Sequence, residues 1–439
     1  MTAIMFGAVF TDGYELGMIS MVLPLLAVHM NLSSFWLGFI GSSALIGLFF
    51  GSLILGWISD HFGRKKIFVC SFIIITIATI FEYFVRNKIE LVILRFLIGF
   101  GIGGDYSAGH TMLAEILPKR HRGSILGSFS VIWTVGYVCS TLIGYLLINK
   151  NSRIWRWMLV SAVLPAIIVL ISRIGTPESP RWLMTKYRMD EAFDIIKKYI
   201  NKDIVINNQD MVKPTEKSNF LTLFNKKFIR LTLFNCLFYV CLVIPYFAIY
   251  TFLPIILKSM DITQSITTDL LLNFFLLLGA FIGIGLTIKL SRRHFLIGSF
   301  IILTISLTLL SFLSNTNKKA LNILCIIIFA IFTLFMSAVC NLVVIFPAES
   351  FPTHIRSTGT GFVTAVSRFG SATGTFLLPL LIEYFKLRIT LLILSSILVF
   401  GTIISILWAP ETKLTDLDEL NKTVECVDKT PANELEAKF

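Results

Sequence analysis

Charge is scarce in this chain. Only 15% of its 439 residues are Asp, Glu, Lys or Arg, while 55% are hydrophobic, and the mean hydropathy is +0.81. Soluble domains carry about 25% charged residues, so this balance excludes an ordinary soluble enzyme or binding module and indicates a membrane protein. The formal charge is +12, yet no basic helix or stacking surface accompanies it. The basic residues sit in short loops between apolar runs, which excludes nucleic acid as a partner. CxxC spacing is missing among Cys70, Cys139, Cys236, Cys241, Cys325, Cys340 and Cys426. The first six fall in apolar runs, where a thiol is a small packed side chain, so neither a metal site nor a disulfide framework is indicated. The N-terminus lacks a basic n-region, and its apolar run continues to Val28 with acids inside it, which is a transmembrane helix and not a cleaved signal. Nothing resembles a nucleotide-binding cassette, and no nucleophile or metal cluster converges, so a membrane-embedded enzyme is not expected and no cofactor is implied.

What the chain has is long apolar runs arranged about one polar stretch. Crossing the hydrocarbon core takes about 20 residues. Runs of that kind lie at 2–29, 36–59, 66–85, 89–114, 123–148 and 155–175, and again at 229–258, 266–289, 294–313, 320–346, 358–384 and 389–409. The expected fold is therefore an all-α membrane protein of twelve transmembrane helices. Residues 1–175 form one six-helix half and 228–409 the other. Between them, 176–227 is a basic linker whose residues 189–217 predict one or two short helices, and 410–439 is a polar tail. Alternate loops differ in Lys and Arg content. The richer set includes Arg64, Lys65 and Lys66, the linker and the tail, which predicts that both termini and the linker are cytoplasmic, in the plasma membrane.

Several stretches then match one family. GWISDHFGRKK (56–66) resembles the GxxxDRxGRRK loop of the major facilitator superfamily, with His61 in place of the usual Arg. PESPRWLMTKYRMDEA (177–192) is similar to the PESPRWL signature of sugar porters, with Tyr187 in place of Gly, and PETKLTDLDEL (410–420) resembles their PETKG ending. AEILPKRHRGSILG (114–127) and AESFPTHIRSTGTG (348–361) echo each other at corresponding places, as the parallel repeats of this superfamily do. The chain is identified as a member of that superfamily, similar to its sugar porters and metabolite:proton symporters. FTDGYELGMIS (10–20) and GIGGDYSAG (101–109) resemble phosphate:proton symporters, while TGTGFVTAVSRFG (358–370) resembles the organic-cation and synaptic-vesicle branch. The seventh run lacks the sugar porters' QQLSGIN, so no single branch supplies the substrate. The resemblance implies secondary transport by alternating access, most directly proton symport of a small polar metabolite, a sugar or an organic or inorganic anion. Proton-driven efflux of organic cations or drugs, facilitated diffusion and a non-transporting nutrient receptor are the alternatives. The partners implied are a small-molecule substrate, protons and the lipid bilayer, with the monomer as the functional unit.

Asp12 and Glu15 lie three apart in the first run and so share one helix face. Ionisable groups at bilayer depth are expensive and face a partner or an aqueous cavity. A carboxylate that pairs with Arg in one state and is protonated in another is a usable proton switch. The resemblance to sugar porters makes Arg95 the partner of Glu15, and the alternative is a fixed ion pair that orders two helices. Asp12, nearer the cytoplasmic end, either lines the cavity or is solvated. Asp105 follows Gly99, Gly101, Gly103 and Gly104. These fit G-x-G-x-x-G literally but lie in an apolar helix with no preceding strand, so they read as close-approach residues between helices. Asp105 matches an acid of phosphate symporters and is a candidate proton or substrate group, or else a buried acid bonded to hydroxyls. Arg368, about ten residues inside the eleventh run, needs an acid, carbonyls or an anionic substrate. Asn235, Tyr239, Tyr246, Tyr250 and Asn273 are further substrate-binding candidates. Asp60, Arg64, Glu115, Arg122, Glu178, Arg181, Glu349 and Arg356 stand at helix ends. In the family such charges form a salt-bridge network that closes the cytoplasmic side; the alternative is solvated loop charge of little energetic weight.

Overall fold

The computed structural model describes residues 2–116, 119–148, 154–199, 220–226, 228–260, 265–314, 319–351 and 355–411. Among these, regular structure is helical. Helices α1 (Thr2–His29), α2 (Ser34–Phe62), α3 (Arg64–Glu82), α4 (Lys88–Ile116) and α5 (Lys119–Leu147) come first, followed by α6 (Ile154–Val160) and α7 (Val163–Arg173). The linker contributes α8 (Pro180–Thr185) and α9 (Met189–Tyr199). Then come α10 (Ile229–Thr251), α11 (Leu253–Ser259), α12 (Ser265–Lys289), α13 (Arg292–Leu313), α14 (Lys319–Cys340), α15 (Leu342–Ser350) and α16 (Arg356–Trp408). Nine helical segments among the described residues are long and apolar enough to cross a membrane. The chain is thus an all-α bundle of the membrane-spanning type. Large apolar side chains such as Trp57, Phe84, Ile168, Phe281 and Phe312 lie exposed on its outer surface, where a bilayer, not water, is the matching solvent.

Where expected spans are broken, the cause is local. The 155–175 run divides at Ser161–Ala162, because Pro165 has no N–H to give to the carbonyl four residues earlier. The 229–258 run divides at Phe252, with Pro254 opening α11. Pro254 leaves the Tyr250 carbonyl short of its helical donor, and the Tyr137 hydroxyl of α5 donates to it at 2.9 Å. Within α16, Lys386 takes φ 62° and ψ 166°, which separates the two runs read at 358–384 and 389–409.

Close packing depends on glycine at several helix pairs, α2 with α4 and α1 with α5 among them. A Cβ on Gly99 would run into the Ala44 carbonyl of α2, and one on Gly47 into the Phe96 carbonyl of α4. On α1 and α5, Gly13 faces the Trp133 carbonyl and Gly136 the Phe10 carbonyl. Small residues let backbones approach where lipid tails provide no hydrophobic drive between helices. In the linker, Ser179 caps α8 by accepting from Trp182 N at 3.1 Å, with Pro180 at the first helical position. Helix α9 carries Asp190 and Glu191 in its first turn and Lys197 and Lys198 in its last, matching its dipole. The rest of the predicted linker helices, 200–219, lies outside the described residues.

Candidate functional site

Three layers of polar side chains run through the apolar interior. The first is built on α1, α3 and α4. Glu15 and Arg95 are both buried, and Arg95 Nη1 donates to Glu15 Oε2 at 3.3 Å while Nη2 donates to the Glu15 carbonyl at 3.0 Å. The Thr79 hydroxyl donates to Glu15 Oε1 at 2.6 Å. The pairing read from the sequence is therefore present. A second carboxylate, which the sequence reading did not single out, joins it: Glu82 Oε1 lies 3.7 Å from Arg95 Nη1, and Glu82 is fully buried.

One turn away along α1 lies a second cluster. Asp105 Oδ1 is 2.6 Å from Arg173 Nη1, with both side chains fully buried. The Arg173 guanidinium lies over the rings of Phe68 at 3.6 Å and Phe72 at 3.9 Å, and Nη1 also donates to the Phe68 carbonyl. Asp105 thus has a cation, and not hydroxyls, as its partner among the described residues. Asp12 is fully buried and not solvated, and neither of its carboxylate oxygens has a hydrogen-bond partner. The charges that act on it are Asp105, Arg173, Glu15 and, from the far side of the bundle, Arg368.

The third group surrounds Arg368. Its guanidinium lies 5.4 Å from the Tyr106 ring of α4 and 5.9 Å from the Phe247 ring of α10, and its Nε is buried with no hydrogen-bond partner. Tyr239, Tyr246 and Tyr250 are buried on the same helix, α10. Tyr246 and Tyr250 have ring centroids 4.7 Å apart, and Trp133 and Tyr137 of α5, stacked on each other, meet them tilted and edge-on respectively. Asn235 donates to the Leu231 carbonyl at 2.9 Å and leaves its Oδ1 unpartnered, as does the Tyr250 hydroxyl. Asn273 is not brought into this group. It donates to the Asp269 carbonyl at 2.8 Å and to Asp269 Oδ1 at 3.2 Å, and the Tyr145 hydroxyl of α5 donates to Asp269 Oδ2 at 2.6 Å. Asp269, like Glu82 and Arg173, was missed by the sequence reading, although a lone charge inside an apolar run is itself the signal.

At the other end of the bundle, Arg64 reaches Asp60 at 3.9 Å, and the Asp60 carbonyl accepts from Trp182 Nε1 at 2.9 Å. Glu178 Oε1 accepts from Lys65 N and Ser179 N, each at 2.9 Å, so its carboxylate sits at the start of α3. Glu411 does the same for α13, accepting from Arg292 N at 3.0 Å and Arg293 N at 3.4 Å. Negative charge at a helix N-terminus is stabilising, and the two Pro-Glu stretches thus occupy matching places. Glu349 pairs with Arg292 at 3.2 Å, a partner the sequence reading did not name. The side chains of Glu115, Arg122, Arg181 and Arg356 lie outside the described residues.

The sugar (and other) transporter family matches residues 1–423. The inner membrane metabolite transport protein YgcS of Escherichia coli (strain K12) is 48% identical over 415 residues, covering 94% of this chain and 92% of YgcS. The niacin transporter NiaP of Acinetobacter baylyi is 26% identical over 368 residues, 82% of this chain and 81% of NiaP. Among solved structures, the partially occluded inward-open xylose transporter XylE from E. coli superposes with a TM-score of 0.79 at 18% identity, over 95% of this chain and 98% of XylE. With the family matched along almost the whole chain, the protein belongs to the sugar (and other) transporter family, whose members move solutes across membranes.

Proposed function

We propose that the protein is a proton-coupled symporter of a small polar metabolite, working by alternating access. In this reading α1 to α5, α6 with α7, α10 with α11, α12, α13, α14 with α15 and the two arms of α16 make twelve crossings. Residues 1–175 and 228–409 form two six-helix halves that rock about a midplane site, and 176–227 and 410–439 are cytoplasmic, as are both termini. The protein acts as a monomer in the plasma membrane.

The single observation that carries this reading is the buried Arg95–Glu15 pair, with Thr79 as a third partner. A carboxylate taken wholly out of water is tolerated only while paired or protonated. Exchange of Arg95 for a proton on Glu15 is therefore a two-state element that a proton gradient can bias. Asp105, clamped by Arg173, fixes the field at Asp12, on which the charge of Arg368 also acts. Arg368, between the Tyr106 and Phe247 rings, is the substrate contact in the second half, with Tyr239, Tyr246, Tyr250 and Asn235 of α10 as further contacts, and its cationic head favours an anionic or hydroxyl-rich solute over an organic cation. The names of the relatives, a niacin transporter and a xylose transporter, bracket the same choice. Asp60, Arg64, Glu178 and Glu349, with Glu115, Arg122, Arg181 and Arg356, form the cytoplasmic gate, whose breaking favours the inward-open state.

The test is uptake of hexoses, pentoses, phosphate, carboxylates and amines into proteoliposomes, with and without an inward proton gradient. With the membrane potential clamped at zero, one pH unit drives about tenfold accumulation at one proton per substrate. Glu15→Gln is expected to keep exchange and lose accumulation. Uptake that ignores the gradient in both proteins would make the chain a facilitator.

A further inference from the structure

Arg95 serves two carboxylates with one charge. Glu15 takes nearly all that the surroundings offer: the Thr79 hydroxyl at 2.6 Å, Arg95 Nη1 at 3.3 Å, and Arg95 Nη2 on its own carbonyl at 3.0 Å. Glu82 is as deeply buried and lies 3.7 Å from the same Nη1, and among the described residues neither of its oxygens has a partner at hydrogen-bond distance. Among the described residues, the other elements packed against α3 bring no further cation to it. Arg156 on α6 gives Nη2 to the Val85 carbonyl at 2.7 Å, and Arg173 on α7 is held by Asp105 and the Phe68 carbonyl at the opposite end of α3. The charges acting on Glu82 are those of Arg95 and Glu15. Two ionised carboxylates on one guanidinium would leave a net negative charge wholly out of water, which protein interiors do not sustain without a partner.

We propose that Glu15 and Glu82 hold one proton between them on Arg95, and that Glu82 is a second proton-carrying residue of the transport cycle; this rests on the symport reading above. In the arrangement seen, the hydrogen bonds to Glu15 hold it as the carboxylate, and Glu82 keeps the proton. The step that follows conserves charge. The Glu82 carboxyl releases its proton, the Glu15 carboxylate takes it up, and Arg95 shifts its ion pair from Glu15 to Glu82, so the cluster stays neutral. Position gives the step a direction. Glu82 is the last residue of α3, followed by the turn with exposed Arg86 and Asn87, whereas Glu15 lies roughly 20 Å along α1 from its start. The start of α3 carries the linker's Glu178, so Glu82 is at the end away from the linker. A proton arriving from that side meets Glu82 before Glu15.

Infrared difference spectroscopy on the purified full chain in proteoliposomes at neutral pH tests this without any substrate. Wild type minus Glu82→Gln is expected to show one protonated-carboxyl carbonyl band. Wild type minus Glu15→Gln is expected to show one too, because Glu82 then has Arg95 to itself and ionises. Glu82→Asp restores the band, which a merely structural role would not. If each difference shows an ionised carboxylate instead, the shared proton is refuted. Uptake of D-xylose, nicotinate and inorganic phosphate is measured in the same vesicles. Wild type accumulating none of them under a gradient sinks the symport reading, while the infrared result still decides the shared proton. Where wild type does accumulate one, Glu82→Gln falls to the level reached without a gradient and keeps exchange. Retained accumulation overturns the transport role of Glu82.

Discussion

Replacing Arg173 with Met is the sharpest perturbation of the buried charge. Arg173 meets Asp105 at 2.6 Å with both groups fully buried, and it is flanked by the Phe68 and Phe72 rings. Two unit charges about 4 Å apart attract by about 4 kcal/mol at the effective dielectric of protein, and a desolvated guanidinium over an aromatic face adds about 2 kcal/mol. Against this stands the desolvation of both ions, so the pair as a whole contributes little net stability. Removing one partner is another matter. Arg173→Met leaves Asp105, with Asp12 beside it, buried without their nearest cation, and the expected loss is about 3–5 kcal/mol. Adding Asp105→Asn to the same chain removes the stranded charge and is expected to return about 2 kcal/mol or more, a coupling that only contacting residues give. Unfolding in mixed micelles, titrated with SDS and followed by tryptophan fluorescence, reads both numbers. A loss under about 1 kcal/mol for Arg173→Met, or no recovery in the double variant, would refute the view that this pair anchors α7 to α4.

Two further outcomes follow from packing and capping. Gly99→Val drives a side chain into the Ala44 carbonyl and is expected to cost at least about 1–3 kcal/mol in the same titration. Gly285→Ala, whose added Cβ meets nothing within 4 Å, should stay within about 0.5 kcal/mol of wild type. Glu178→Ala and Glu411→Ala each remove the acceptor at the start of a helix, α3 and α13 respectively. Each should cost about 0.5–2 kcal/mol; a loss at one and none at the other would mean that the two Pro-Glu stretches are not equivalent.

How much of this was legible in the sequence depends on what each residue had to find. The runs themselves were plain, and breaks such as Ser161–Ala162 and Phe252 lie where Pro165 and Pro254 put them. Helix faces were not legible. A run that is apolar all round has no moment to say which side meets a partner. Asp12 and Glu15 do share a face, but three residues of rise, about 4.5 Å, send them to different layers: Glu15 to Arg95 and Thr79, Asp12 to Asp105 and Arg173. Arg173 and Glu82 close their helices near the ends of their runs, and it is the packing of α3 against α4 and α7 that takes them inside. Spacing cannot find them, but counting can. Among the described residues, the buried carboxylates are Asp12, Glu15, Glu82, Asp105 and Asp269, against fully buried Arg95 and Arg173. Five buried acids and two fully buried guanidiniums leave three carboxyls with no cation of their own. One lies on Arg95, where a proton balances it in the scheme above. Asp269 accepts the Tyr145 hydroxyl across the contact of α5 with α12. A passive channel for neutral solutes has no use for acids in excess of cations at that depth, because each carries a desolvation cost. A carrier that moves protons with its cargo does, since an acid without its own cation is where the proton binds and leaves.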